Sequence, residues 1–139
     1  MQYKRIMCLD YGDVRIGIAF SDLLQIVASP YETYTRKNLE SDLAFFADLC
    51  KKQDVETIVI GLPYNMDGTS GERNKVTKEF GALLSQATGL DIVYVDERLS
   101  SVEAEDVLAE AKVPAIKRKG LIDKIAASII LQTYLNSKN

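Results

Sequence analysis

The stretch Lys4-Arg5-Ile6-Met7-Cys8-Leu9-Asp10-Tyr11-Gly12-Asp13-Val14-Arg15-Ile16-Gly17-Ile18-Ala19-Phe20 decides the fold. Lys4–Leu9 is almost continuously apolar, Asp10-Tyr11-Gly12-Asp13 interrupts the run, and Arg15–Phe20 is apolar again. Two such runs joined at Gly12-Asp13-Val14 read as a β-hairpin. The first is apolar on both faces and so reads as a central strand, with Asp10 closing it. A third strand is expected around Ile26–Thr35, where Ser29-Pro30 favours an edge or a strand start, because proline cannot donate to an inner ladder.

From there the pattern alternates. Asn38 is a suitable N-cap for a helix carrying Leu39, Leu43, Phe46, Ala47 and Cys50 at helical spacing, ending near Gln53. Thr57–Leu62 is a β-branched run fit for a buried parallel strand. The turn-rich stretch 63–71 follows, and Thr69 with Glu72 reads as a capping box for a helix to about Thr88, stopped by Gly89. Ile92–Val95 is another short strand, followed by Asp96-Glu97-Arg98. Ser100 with Glu103 suggests a helix to about Ala111, Lys112–Gly120 a basic linker, and residues from about Leu121 to Leu135 a final helix. The order βββ-α-β-α-β-α-α describes one α/β domain over residues 1–139, a mixed five-stranded sheet flanked by helices.

Composition narrows the chemistry. A chain of 139 residues with 47% apolar content can build a core without staples. No apolar run approaches the roughly 20 residues of a spanning helix, and Met1–Asp10 reaches a carboxylate too soon for a signal-peptide core. A cytoplasmic protein with no membrane partner is expected. There is no histidine. That excludes Ser-His-Asp and Cys-His nucleophile pairs, imidazole zinc sites and histidine general bases. Cys8 and Cys50 are the two cysteines, with no Cys-x-x-Cys, and read as reduced core thiols. Any catalysis must come from carboxylates, lysines, hydroxyls or a hard metal ion. The net charge of −3 is uneven: Lys112–Asn139 holds six basic residues and one acid, +5, while the rest holds 11 basic and 19 acidic groups, −8. A basic end on an acidic body suits one face offered to a polyanion, although a solvated helix and linker would read the same.

Three places carry acids at element ends. Asp10 closes the first strand, where a carboxylate is costly unless paired or metal-bound; Arg15 or the Gly12 turn amides would be its bland partners. Asp96 and Glu97 close the last strand, where open α/β sheets bind ligands, and only one of the two can face Asp10. An N-cap role or a pairing with Arg98 is the alternative. Asp123 shares a helix stripe with Ala126, Ala127 and Ile130, although a first-turn acid also complements the helix dipole. Three carboxylates from three elements, with no histidine, suit Mg²⁺ or Mn²⁺, which take oxygen ligands and are completed by substrate phosphate. Two such ions can activate water and stabilise the leaving oxygen of a phosphodiester. The 65–71 loop, running into a helix, could hold an anion on backbone amides, but no Gly-Lys-Ser/Thr follows to make it a Walker A loop.

Four motifs then resemble, in order, those of the YqgF/RuvX family of bacterial pre-16S ribosomal RNA nucleases. They are Leu9-Asp10-Tyr11-Gly12-Asp13-Val14-Arg15-Ile16-Gly17-Ile18-Ala19, Ile60-Gly61-Leu62-Pro63-Tyr64-Asn65-Met66-Asp67-Gly68-Thr69, Asp96-Glu97-Arg98-Leu99-Ser100-Ser101-Val102-Glu103-Ala104 and Asp123-Lys124-Ile125-Ala126-Ala127-Ser128-Ile129-Ile130-Leu131-Gln132. The resemblance implies a ribonuclease H-like fold similar to that of Holliday-junction resolvases. It also implies catalytic, metal-binding acids at Asp10, Glu97 and Asp123, preferring Glu97 to Asp96. Relatives of the wider fold often add a fourth acid one helical turn beyond the third; here Ala126 and Ala127 stand in those places. The expected activity is metal-dependent phosphodiester hydrolysis, trimming the 5′ side of precursor 16S ribosomal RNA with Mg²⁺ or Mn²⁺. Arg15, Arg98, Lys117, Arg118 and Lys119 would hold the nucleic-acid backbone, and the 68–71 loop would add amides. Structured RNA and ribosomal particles are the expected partners. Branched DNA is the alternative substrate, and a non-catalytic nucleic-acid-binding assembly factor the alternative class. A fragment of the actin-like kinase fold is disfavoured, because one domain of this size lacks the second lobe.

Overall fold

The computed structural model describes residues 3–63, 71–97, 106–112 and 114–138. The strands are β1 (Arg5–Tyr11), β2 (Arg15–Ser21), β3 (Ala28–Thr35), β4 (Val55–Leu62) and β5 (Asp91–Asp96). They form one sheet in the order β3-β2-β1-β4-β5, so the doubly apolar β1 is central as its sequence requires. The hairpin pairs β1 with β2 antiparallel, and β3 continues the antiparallel half. β4 and β5 extend the sheet in parallel through helical crossovers. Pro30 lies on the edge strand β3, at a register shift.

The helices are α1 (Leu39–Lys52), α2 (Glu72–Thr88) and α3 (Ala115–Lys138), and residues 106–110 are also helical. Strand alternation divides the core in two. Met7, Leu9, Ile16, Ile18, Ile58 and Ile60 face one way, against Phe46 of α1 and Phe80 and Leu84 of α2. Ile6, Cys8, Ala19 and Val59 face the other way, against Ala127, Ile130, Leu131 and Leu135 of α3. Both cysteines are buried and free. No helix among the described residues is long and apolar enough to cross a membrane.

Asn38 caps α1 as read, its side chain accepting from the Ser41 N–H at 2.8 Å. Gly89 ends α2 in the left-handed conformation, φ 74°. Two readings are corrected. α2 is not opened by a Thr69–Glu72 capping box: its N-cap is Gly71, so Glu72 is the first helical residue, where it complements the dipole instead of reaching back. Thr69, Ser100 and Glu103 lie outside the described residues. The larger correction concerns Lys112–Gly120, which is not a linker throughout, because α3 begins at Ala115 directly after Pro114. Ala, Ile, Lys and Arg form helix readily, and one interior Gly costs only about 1 kcal/mol against alanine. Asp123 therefore sits in the third turn, too far from the N-terminus for the dipole to explain it.

One buried acid escaped sequence reading. Asp42 of α1 is fully buried and accepts from Tyr34 Oη (2.8 Å), Lys37 N (3.0 Å) and Arg36 Nε (3.0 Å). Arg36 continues to Tyr11 Oη at 2.7 Å and Gly12 O at 3.3 Å, tying α1 to the hairpin turn. Burial opposes ionisation of Asp42, but these donors outweigh it and leave its pKa below the usual carboxylate value. Such a group stabilises the fold above its unfolded pKa, and that stability is lost as pH falls through the lower folded pKa. Asp42→Asn is expected to cost about 2 kcal/mol in urea denaturation at pH 7, the worth of charge-assisted hydrogen bonds made neutral. The deficit should shrink towards pH 3.

Candidate active site

The site is cut into the α3 face of the sheet. Alternation puts Asp10 on the same face as Ile6 and Cys8, under α3. Asp10 pairs with Gly17 of β2 on one side. On the other it lies one residue beyond the Leu9–Ile60 pair, beside Gly61 of β4. Both glycines make room. A Cβ on Gly17 would fall 2.0 Å from the Asp123 carbonyl oxygen, so α3 can cross here only over a residue without a side chain. A Cβ on Gly61 would fall 2.8 Å from Glu97 Oε2, in the space that side chain fills. The backbone N–H of Glu97 donates to Leu62 O at 3.1 Å, which fixes the end of β5 to β4.

Of the two acids closing β5, Glu97 turns inward while Asp96 is exposed. Glu97 is hydrogen-bonded to Asp10. Burial is the chief cause that raises both. Glu97 goes up to about 9, with the Asp10 charge and the shared hydrogen bond adding to the effect and Arg73 opposing it. Asp10 goes up to about 6: the hydrogen bond from Glu97 pulls it down, the Asp123 charge pushes it up, and Arg73 again opposes. Near neutrality, then, a protonated Glu97 donates to an ionised Asp10. Two carboxyls share one proton where two oxygens of a hard cation site would stand.

Asp123 lies near enough for its charge to act on Asp10, but its carboxylate is engaged elsewhere. Arg15 Nε donates to Asp123 Oδ2 at 2.8 Å. The structure therefore brings Asp10 and Glu97 together and holds Asp123 alongside, on Arg15. Arg15 is the partner of Asp123 and not of Asp10. Among the described residues no set of three or more His, Cys, Asp or Glu side chains is arranged to hold a metal ion. A third oxygen ligand would require Asp123 to turn away from Arg15. The donor set fits a hard cation in chemistry: all oxygen, largely shielded from solvent, and kept from ionising together by a mutual repulsion that a cation would relieve. Arg98 lies outside the described residues, as do the side chains of Lys117, Arg118 and Lys119, whose backbone is in α3. The 64–70 part of the proposed anion loop is likewise outside them.

Sequence reasoning missed Arg73, in the first turn of α2. It pairs with Asp13, donates from Nη2 to Tyr11 O at 3.3 Å, and its charge reaches both Asp10 and Glu97. No local pattern marked it, because the groups it meets come from the β1–β2 hairpin, 60 and 62 positions away.

A group whose folded pKa exceeds its unfolded value contributes stability at low pH that is lost as pH rises through the folded pKa. The ion-free protein is therefore expected to lose thermal stability from about pH 4 to about pH 9, as Asp10 and then Glu97 must ionise in burial. Adding Mn²⁺ at pH 8 should recover it; melting curves in EDTA and in Mn²⁺ check this.

Residues 4–137 match the RuvX family, described as Holliday junction resolvase. The chain belongs to the RuvX family. A relative from Halothermothrix orenii, named as a pre-16S rRNA nuclease, is 52% identical over 135 residues, covering 97% of this chain and 96% of its own. One of the same name from Syntrophomonas wolfei is 49% identical over 132 residues, covering 95% and 94%. Among solved structures, Thermus thermophilus RuvC in complex with Holliday junction substrate superposes with a TM-score of 0.62 at 10% identity, covering 98% of this chain and 96% of that one. The fowlpox virus resolvase gives 0.58 at 12%, covering 96% and 98%. At these identities the RuvC and fowlpox likenesses concern the fold, which is ribonuclease H-like as the RuvX motifs implied.

Proposed function

We propose that this RuvX-family chain is a metal-dependent nuclease that hydrolyses phosphodiester bonds at Asp10, Glu97 and Asp123, acting in the cytoplasm on the 5′ side of precursor 16S rRNA. The observation that carries the reading is the placing of the Asp10 and Glu97 carboxyls against each other at the carboxyl ends of β1 and β5, roofed by α3 with Asp123 alongside. Structural acids pair with bases, as Asp42 does with Arg36. Asp10 and Glu97 pair with each other, an arrangement that costs stability and persists where function uses it.

Asp10 and Glu97 would hold Mg²⁺ or Mn²⁺ through carboxylate oxygens, and Asp123 would join them on leaving Arg15. When bound, such an ion activates water and neutralises charge on the phosphate. The chain's residues do the rest. Glu97 gives up its proton on ion binding, so apparent affinity should rise with pH up to about 9. Arg15, once released from Asp123, is a guanidinium at the site edge able to take a phosphate oxygen. The basic run Lys117-Arg118-Lys119, with Arg98, would position the backbone without reading bases. Hydrolysis adds water across one P–O ester bond, leaving a phosphate monoester and a hydroxyl.

The substrate assignment follows the names of the two relatives; branched DNA follows the family description. Incubating the purified protein with Mn²⁺ and, side by side, a labelled pre-16S 5′ fragment and a four-way DNA junction separates them. Faster cutting of the RNA is expected. Preferential junction cutting would overturn the substrate, and RNA binding without cleavage of either would favour the assembly-factor alternative.

A further inference from the structure

The β1–β2 turn and the first turn of α2 meet at the carboxyl end of β1, and Arg73 is what joins them. Its guanidinium holds Asp13 through Nη1 and the Tyr11 carbonyl through Nη2, and stands 6.0 Å from the centre of the Tyr11 ring. Both partners present oxygen acceptors to adjacent N–H groups, as two oxygens of a phosphate would.

We infer that Arg73 is a phosphate clamp of this site, taking a non-bridging oxygen of the bound nucleic-acid backbone in place of Asp13. This rests on the nuclease reading above and adds to it a residue outside the four family motifs.

A purely structural role explains little. The Arg73–Asp13 pair is exposed, with 43% and 74% of the two side chains accessible. Exposed ion pairs contribute about 0–1 kcal/mol, and the Tyr11 bond is long for an N–H···O contact. Arg36 already anchors the turn from beneath through Tyr11 Oη and Gly12 O. What distinguishes Arg73 is position. It is an accessible guanidinium at the carboxyl end of β1, bonded to the backbone carbonyl of Tyr11, the residue that follows Asp10. Where two carboxyls stand together, an approaching phosphate meets repulsion, and a fixed cation at the rim offsets it. Arginine suits the task because its planar fork can exchange a carboxylate for a phosphate without rebuilding the site.

The test uses the full chain and a labelled pre-16S 5′ RNA fragment. Binding is measured in EDTA across a salt series, and cleavage in Mn²⁺ under single-turnover conditions. Arg73→Ala should weaken binding by about tenfold and lower the slope of log K against log salt by about 1, the signature of one lost phosphate contact. Its cleavage rate should fall further than binding alone explains. Arg73→Lys should restore the salt slope but only part of the rate. Asp13→Asn, which removes the ion pair and keeps the guanidinium, should change either quantity by no more than about threefold. Equal effects of Arg73→Ala and Asp13→Asn would overturn the clamp, because the pair alone would then matter. So would a wild-type salt slope in Arg73→Ala. If the wild type binds RNA but does not cut it, the nuclease reading fails and the salt slope still judges Arg73. If it binds no RNA, both fail.

Discussion

Asp10→Asn is expected to lower Mn²⁺-dependent cleavage by at least about a thousandfold, which is about 4 kcal/mol of transition-state stabilisation. The same substitution should make the ion-free protein more stable at pH 8. The two results belong together. Asp10 is largely buried, faces a second carboxyl, and has its pKa raised to about 6 by burial before any other cause. At pH 8 the folded chain must keep that charge in place, and an uncharged amide removes the demand. Each unit of raised pKa corresponds to about 1.4 kcal/mol, so a gain of about 1–3 kcal/mol in ion-free stability is expected, disappearing near pH 4. The amide can also donate to Glu97 and let that side chain ionise. A structural acid would behave in the opposite way: its removal would destabilise the fold and leave cleavage unchanged. Melting curves and single-turnover cleavage on one preparation decide between them.

Gly17→Ala should be nearly as severe by another route. The added Cβ would stand 2.0 Å from the Asp123 carbonyl oxygen, 2.2 Å from its carbonyl carbon and 2.8 Å from the Lys124 nitrogen. All three are backbone atoms, so no side-chain rotation relieves the clash; α3 must move. That helix carries Ala126, Ala127, Ile130, Leu131 and Leu135, all buried against the sheet, and the interior is packed too closely to absorb the shift. Overpacking of this kind costs about 3 kcal/mol or more. Because Asp123 rides on the displaced turn, cleavage should be lost even where the variant stays folded. Urea denaturation gives the first quantity, and activity well below the transition gives the second. The matching change at Gly61 meets Glu97 side-chain atoms and the Ile130 terminal methyl, so it should perturb the site more than the fold.

Much of this was legible in the chain. The order and type of the strands followed from apolar runs, because β1 and β4 are buried on both faces and cannot be mistaken for alternating surface strands. Asp10 and the Asp96-Glu97 step stood out because a carboxylate ending a buried strand needs a reason. What could not be read was long-range pairing. Arg15 and Asp123 are separated by 108 positions, and no periodicity links them. Arg73 and Asp42 were invisible for the same cause: each takes its meaning from residues that another element brings to it. The start of α3 was misplaced because a cluster of like charges and one glycine resemble a linker locally, whereas packing of Ala126, Ala127 and Ile130 on the sheet stabilises the helix as a whole. That error had a consequence, since it lent Asp123 a dipole role that its place in the third turn excludes.

The central claim is that Asp10 and Glu97 are ligands of one divalent ion. A crystal of the wild-type protein soaked in Mn²⁺ at pH 8, with data collected to show the anomalous signal of manganese, tests it most directly. The expected result is a peak bonded to carboxylate oxygens of Asp10 and Glu97 at about 2.0–2.6 Å, with Asp123 turned from Arg15 towards it. A peak elsewhere, or none with Glu97 still hydrogen-bonded to Asp10, would contradict the claim.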